Sequence, residues 1–321
     1  MRISREKTIP IILAALVFFC AGALRASVPA TGDKLAQYVK SFDYDHNMPL
    51  NAEVKPLGAI GASQRYHVLF DSLNGERVPG EIYIPTKGKA PYPCIVVQHG
   101  YGQDKSFAAL FANAFAPRGY AVMAIDMEYH GERKEPGKDV LTLDPEANTK
   151  ALAQSVVDIS RSVDYLASRG DIDMNRIGYI GVSLGSFLGS IYNGIDKRTK
   201  TAVFVVGGGD WDVMVRQSQV GPFIEVRKAL GTDEAKLSDF AARMNRVDPL
   251  NYSGLISPRP LLMISCENDK LVPKKGGEEL FAAAGEPKEI KWFTCGGDVA
   301  HVPPIDKTTV LAKSWFDKYL K

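Results

Sequence analysis

The sequence predicts an α/β fold built on a mostly parallel central sheet, with an antiparallel hairpin at one edge. Three observations carry this expectation. Short, continuous apolar runs recur between residues 94 and 294, and helix-forming stretches separate them, which is the pattern of βαβ units around a parallel sheet. Ahead of them, two alternating runs at 65–70 and 77–84 are joined by Ser72-Leu73-Asn74-Gly75, and Asn-Gly between alternating runs marks a hairpin. No internal repeat and no long linker divides 27–321, so one domain is expected there.

The N-terminal 26 residues read as an export signal. Arg2, Arg5 and Lys7 are followed by an apolar stretch from Ile9 to Ala23, about fifteen residues and therefore within the span of a signal h-region. Small residues place the cut after Ala23 or after Ala26. A membrane-spanning helix needs about 20 apolar residues, so a retained anchor is the weaker alternative. Localisation is expected to be periplasmic or secreted.

Residues 27–60 form a lead-in without clear periodicity, and the hairpin runs follow. A buried strand at 94–98 ends in His99-Gly100-Tyr101-Gly102, and a helical stretch around 107–115 leads to a second buried strand at 120–126. Leu152, Val156, Ile159, Val163 and Leu166 then recur on one face of a helix over 148–170, with Gly170 as its expected C-terminal cap. Strands at 176–180, 201–206, 260–265 and 289–294 alternate with helices from Leu184, at 275–284 and at 306–320. The segment 211–258, carrying Trp211, Met214, Phe223, Phe240 and Met244, reads as a short helical cap or as ordinary helix packing.

Composition excludes several roles. The chain has 39 Lys+Arg against 37 Asp+Glu, and the first 26 residues hold four of those bases and one acid. The remainder is nearly neutral, so nothing electrostatic favours nucleic acid or an anionic membrane surface. Beyond that leader the cysteines are Cys94, Cys266 and Cys295. Their odd number and lack of CxxC or Cys/His spacing favour small buried apolar residues over a disulfide scaffold or a metal site. No cofactor is expected.

The chemistry concentrates in Gly181-Val182-Ser183-Leu184-Gly185, between an apolar strand and a helix. A serine on so sharp a turn needs small neighbours two residues away on either side. Its hydroxyl also needs a base. Of His46, His67, His99, His130 and His301, only His301 follows an acid candidate in the order serine, acid, histidine. The acid is Asp269, in the loop after strand 260–265, or Asp210, after strand 201–206. Acyl transfer also requires oxyanion donors. The N–H of Leu184 is one, and the glycine-rich loop at 99–102 supplies the other, assigned to Tyr101. His130 and Trp211 are expected to contact substrate.

These motifs, with Asp126-Met127-Glu128-Tyr129-His130-Gly131 and Asn268-Asp269-Lys270-Leu271-Val272-Pro273, resemble the α/β-hydrolase superfamily over 65–320. The likeness is to its acetyl-esterase, dienelactone-hydrolase-like and prolyl-oligopeptidase-related branches. The resemblance implies a Ser183–Asp269–His301 triad with oxyanion amides at Tyr101 and Leu184. A serine where dienelactone hydrolases carry cysteine, and only some 65 residues before the first strand, favour a carboxylesterase cleaving short-chain or acetyl esters through an acyl-enzyme. A peptidase or amidase with the same triad is the alternative, and a catalytically silent binding protein a further one. The expected partner is a small-molecule ester, with no nucleic acid and no membrane for the mature protein.

Overall fold

A computed structural model describes residues 29–321. The signal expected at 1–26 lies outside the described residues.

In chain order the structure runs α1 (Gly32–Lys40), β1 (Glu53–Ile60), β2 (Ser63–Asp71), β3 (Arg77–Pro85), β4 (Tyr92–Gln98), α2 (Ala108–Phe115) and β5 (Ala121–Ile125). It continues with α3 (Pro145–Ser168), β6 (Ile172–Val182), α4 (Leu184–Ile195), β7 (Thr201–Val205), α5 (Trp211–Gln217), α6 (Gly221–Leu230) and α7 (Glu234–Arg243). Then come α8 (Leu250–Ser253), β8 (Leu261–Cys266), α9 (Lys274–Ala283), β9 (Lys288–Phe293) and α10 (Ile305–Leu320). The strands form one sheet in the order β1-β2-β3-β5-β4-β6-β7-β8-β9. Pairing is antiparallel from β1 to β5 and parallel from β5 to β9. The mostly parallel α/β expectation holds, with the hairpin on one side.

Alternation explains the continuous apolar runs. Along β4, Cys94 and Val96 enter one core while Ile95 and Val97 enter the other, and β7 divides in the same way. Both faces of a parallel sheet are covered, so neither set of side chains can be polar. One core lies under α3, α4 and the segment between β7 and β8, and the second under α2 and α10.

The lead-in departs from expectation, for it contains α1 and β1. Every residue of β1 before Ile60 is exposed, and α1 buries none. An edge strand wet on both faces has no alternating pattern to read. Between β2 and β3, Asn74 (φ 58°) and Gly75 (φ 78°) make the left-handed turn that Asn-Gly signals. The long helix starts earlier than its apolar stripe, because Asp144 caps it by accepting from Glu146 and Ala147 N–H. It ends at Ser168 with Arg169 N–H bonded to Leu166 O, so Gly170 does not serve as the cap.

Candidate active site

Register brings the functional loops to one edge. Gly181 lies beside Gln98 and Val182 beside Val205, while Cys266 pairs with Phe293. The loops after β4, β6, β8 and β9 therefore leave the sheet as neighbours, at the carboxyl edge where such sheets bind ligands.

Ser183 stands between β6 and α4 at φ 53°, ψ −121°. That left-handed value is costly for a residue with a side chain, and strain of this kind collects at functional sites. The flanking glycines make the turn possible. A Cβ on Gly181 would lie 2.3 Å from Gly185 O, and one on Gly185 would lie 2.2 Å from Gln98 O. Ser183 N–H donates to Val205 O at 2.8 Å, which seats the turn on the neighbouring strand.

His301 follows Ala300, itself left-handed at φ 49°. Its Nδ1 is 2.7 Å from Asp269 Oδ2, while Asp269 Oδ1 accepts from Leu271 N–H at 2.8 Å and Val272 N–H at 2.9 Å. The other ring nitrogen, Nε2, is buried and has no hydrogen-bond partner among the described residues. Ser183 and His301 line the same cavity, of about 490 Å³. No hydrogen bond joins the two side chains, and catalytic hydrogen bonds of this kind commonly tighten as substrate binds. The rival acid, Asp210, instead caps α5, accepting from Asp212 and Val213 N–H.

The acid and histidine loops are fastened together beyond that one contact. Cys266 and Cys295 form a disulfide. Asn268 donates from Nδ2 to Cys295 O at 2.8 Å and accepts Cys295 N–H at 2.9 Å. Lys270 N–H donates to Val299 O at 3.0 Å. All three cysteines are buried as expected, and Cys94 is free, but Cys266 and Cys295 are joined in a disulfide that the expectation did not include. A signal was present, for both sit at the ends of adjacent strand runs, but strand order decides whether such ends meet. Asn268 was missed for the same reason.

Within the loop after β4, no hydrogen bond takes up the N–H of Tyr101, nor that of Leu184 at the start of α4, among the described residues. Tyr101 OH donates to Asp139 Oδ2 at 2.5 Å, which fixes the phenol against that carboxylate. Gly100 N–H donates to Gln103 Oε1 at 3.1 Å, a loop tie the sequence did not suggest. Burial pushes the His99 pKa down to about 4, and its neutral Nε2 accepts Met127 N–H at 3.3 Å.

Two expected substrate contacts sit elsewhere. His130 is buried, with Nδ1 2.8 Å from Glu128 O and Nε2 accepting Gly102 N–H at 3.0 Å. Both nitrogens are committed to backbone, and its ring supports Tyr101 edge-on. Trp211 is also buried, donating from Nε1 to Val247 O at 3.1 Å and packing against Phe187 and Phe223. Neither lines the cavity at Ser183. Met214, Phe223, Phe240 and Met244 likewise join the core on the α3 and α4 face. Of the segment 211–258, for which a short cap and ordinary helix packing are the alternatives, only residues 219–221 reach the cavity.

The sequence model described as "Acetyl xylan esterase (AXE1)" matches residues 36–208, over half of the chain. A putative hydrolase, YtaP of Bacillus subtilis, is 25% identical over 226 residues, covering 65% of this chain and 71% of that protein. An acetyl xylan esterase from Paenibacillus sp. R4 superposes with a TM-score of 0.76 at 21% identity, covering 92% of this chain and 97% of that one. Acetyl xylan esterase 1 from Thermoanaerobacterium sp. JW/SL YS485 gives 0.74 at 16% identity, over 92% and 96% of the two chains. At such identities the structural likeness establishes the fold alone.

Proposed function

The chain belongs to the acetyl xylan esterase (AXE1) family, with an α/β-hydrolase fold, and on that premise we propose that it is a serine carboxylesterase cleaving short-chain esters, acetyl esters among them. One observation carries the serine mechanism. A serine in a strained left-handed turn shares a cavity with a histidine whose one ring nitrogen is tied to a carboxylate and whose other is unpartnered.

In this reading Ser183 Oγ attacks the ester carbonyl carbon as His301 Nε2 takes its proton. Asp269 holds Nδ1–H and stabilises the imidazolium that forms. The N–H groups of Tyr101 and Leu184 donate to the oxyanion. His130 enters by holding Gly102, next to the Tyr101 amide, rather than by touching substrate. Collapse of the intermediate expels the alcohol, which leaves with the proton from His301. Water then attacks the acyl-serine, again with His301 as base, and releases the acid.

A fluorophosphonate probe is expected to label Ser183, and Ser183→Ala to lower ester turnover by several orders of magnitude with folding intact. A loss below tenfold would sink the serine mechanism.

Export belongs to the same reading. It rests on the basic and apolar leader and on the Cys266–Cys295 disulfide, a bond that persists mainly in oxidising compartments. Among the described residues no helix is long and apolar enough to cross a membrane. N-terminal sequencing of protein from its native host is expected to begin at Leu24 or Ser27. Intact Met1 on protein from the cytoplasm would overturn export.

A further inference from the structure

We propose that the acyl group processed at Ser183 extends to apolar chains well beyond acetyl, about six to eight carbons, held in a slot between α2 and α10. The proposal rests on the esterase reading above and adds the acyl class.

Size is the first argument. The cavity that Ser183 and His301 line measures about 490 Å³, within the range of roughly 300–1,000 Å³ that encloses drug-sized ligands. A two-carbon acyl group would leave most of it empty.

Chemistry is the second. From Ser183 the wall passes to Ile180 and Val205 of the sheet, Phe115 of α2 and Ala312 of α10, all nearly inaccessible to solvent. These residues belong to the core on the α2 and α10 face, so that core forms the floor of the slot beside the nucleophile. Phe107, Phe111 and Phe115 recur every four residues with ring centroids 5.4 and 6.4 Å apart, which makes one continuous aromatic side. Polar groups on the wall are largely committed. Gln103 accepts Gly100 N–H and Thr309 donates to Ile305 O, Gln219 stands exposed to solvent, and in the interior of the wall Thr308 Oγ1 is buried and unpartnered. A hydroxylated or charged acyl group would lose its hydration there without replacement.

Direction is the third. The inner end of the slot lies among core residues, while its mouth is rimmed by Leu110, Val302 and Ile305, which are 49%, 61% and 57% exposed. During turnover the acyl group stays bonded to Ser183 while the alcohol must depart. An enclosed end suits the group that stays, and an open mouth suits the one that leaves. Binding energy from a remote chain then raises kcat/KM, because it is available to the transition state.

The test varies acyl and alcohol separately on the full-length mature enzyme. Along p-nitrophenyl acetate, butyrate, hexanoate and octanoate, kcat/KM is expected to rise about fourfold per buried methylene at first. The peak at hexanoate or octanoate is expected to exceed acetate at least tenfold. Ala312→Leu, which fills the inner end, is expected to move the optimum at least two carbons shorter, and Ala114→Leu on the α2 side gives the same readout should the first variant not fold. A profile that falls from acetate to hexanoate overturns the slot, as does a rise that appears only when the alcohol of an acetate ester is lengthened. Failure here is separable from failure of the esterase reading. A chain whose Ser183 labels with fluorophosphonate while its acyl profile falls loses the slot alone. A chain that neither labels nor cleaves any ester loses both.

Discussion

Asp269 divides its two oxygens between its own loop and His301. Oδ1 is held by the N–H groups of Leu271 and Val272, which leaves Oδ2 aimed at His301. Asp210 has other duties. It caps α5, and its neighbour Glu279 has its carboxyl pushed up to about 7 by burial and then by a hydrogen bond with Asp210. Asp269→Asn preserves the shape but offers an amide where Nδ1–H needs an acceptor, which favours the wrong tautomer. In a serine-protease triad that change costs about 10⁴ in kcat, and a fall of that order is expected here. Asp210→Asn retains a good capping side chain, so its ester turnover is expected to change only a few-fold. The two variants assayed in parallel decide the assignment, and a crippled Asp210 variant beside a nearly normal Asp269 variant would reverse it.

Between elements, the joint that matters is the one connecting the loop after β8 to the loop after β9. Phe293 O accepts Glu267 N–H at 2.9 Å, and the disulfide, Asn268 and the Lys270–Val299 bond continue that seam toward His301. The disulfide closes a chain segment of 29 residues, and bridges of that span contribute about 2–4 kcal/mol by restricting the unfolded chain. Cys266→Ser with Cys295→Ser is expected to lower denaturation stability by that amount. Looser placement of Asp269 against His301 is expected to reduce kcat more than it raises KM, since orientation at the reacting centre acts on the transition state. Urea unfolding together with steady-state kinetics reads both effects, and unchanged values would show the bridge to be idle.

At the scale of the molecule, the choice is between ester and amide. Cleavage of an aminoacyl amide with a free amine calls for a carboxylate in the substrate site. No Asp or Glu lines the cavity at Ser183 among the described residues. The segment between β7 and β8 packs mainly on the α3 and α4 face, and only Val206, directly after β7, and residues 219–221 contribute to that wall. Short-chain p-nitrophenyl esters are therefore expected to be cleaved with higher kcat/KM than aminoacyl p-nitroanilides. A preference for dipeptide amides would transfer the reading to a peptidase.

How much was legible in the sequence follows from the range of the forces involved. Strand and helix patterns are local, so β2 and β3 could be read from alternation, β4 to β9 from short apolar runs, and the long helix α3 from its 3.6-residue stripe. The turn at Ser183 was legible because its glycines answer a steric need within five residues, and chain order singled out His301. The edge strand β1 was hidden, since exposure on both faces removes the pattern that would reveal it. Sequence left Asp269 and Asp210 as alternatives, and only the packing of the last two loops set one of them 2.7 Å from His301. The meeting of Cys266 with Cys295, the commitment of both His130 nitrogens to backbone, and the burial of Trp211 away from the cavity belong to tertiary structure alone. Each depends on which distant elements become neighbours, and that is settled by strand order and core packing across separations that local pattern does not encode.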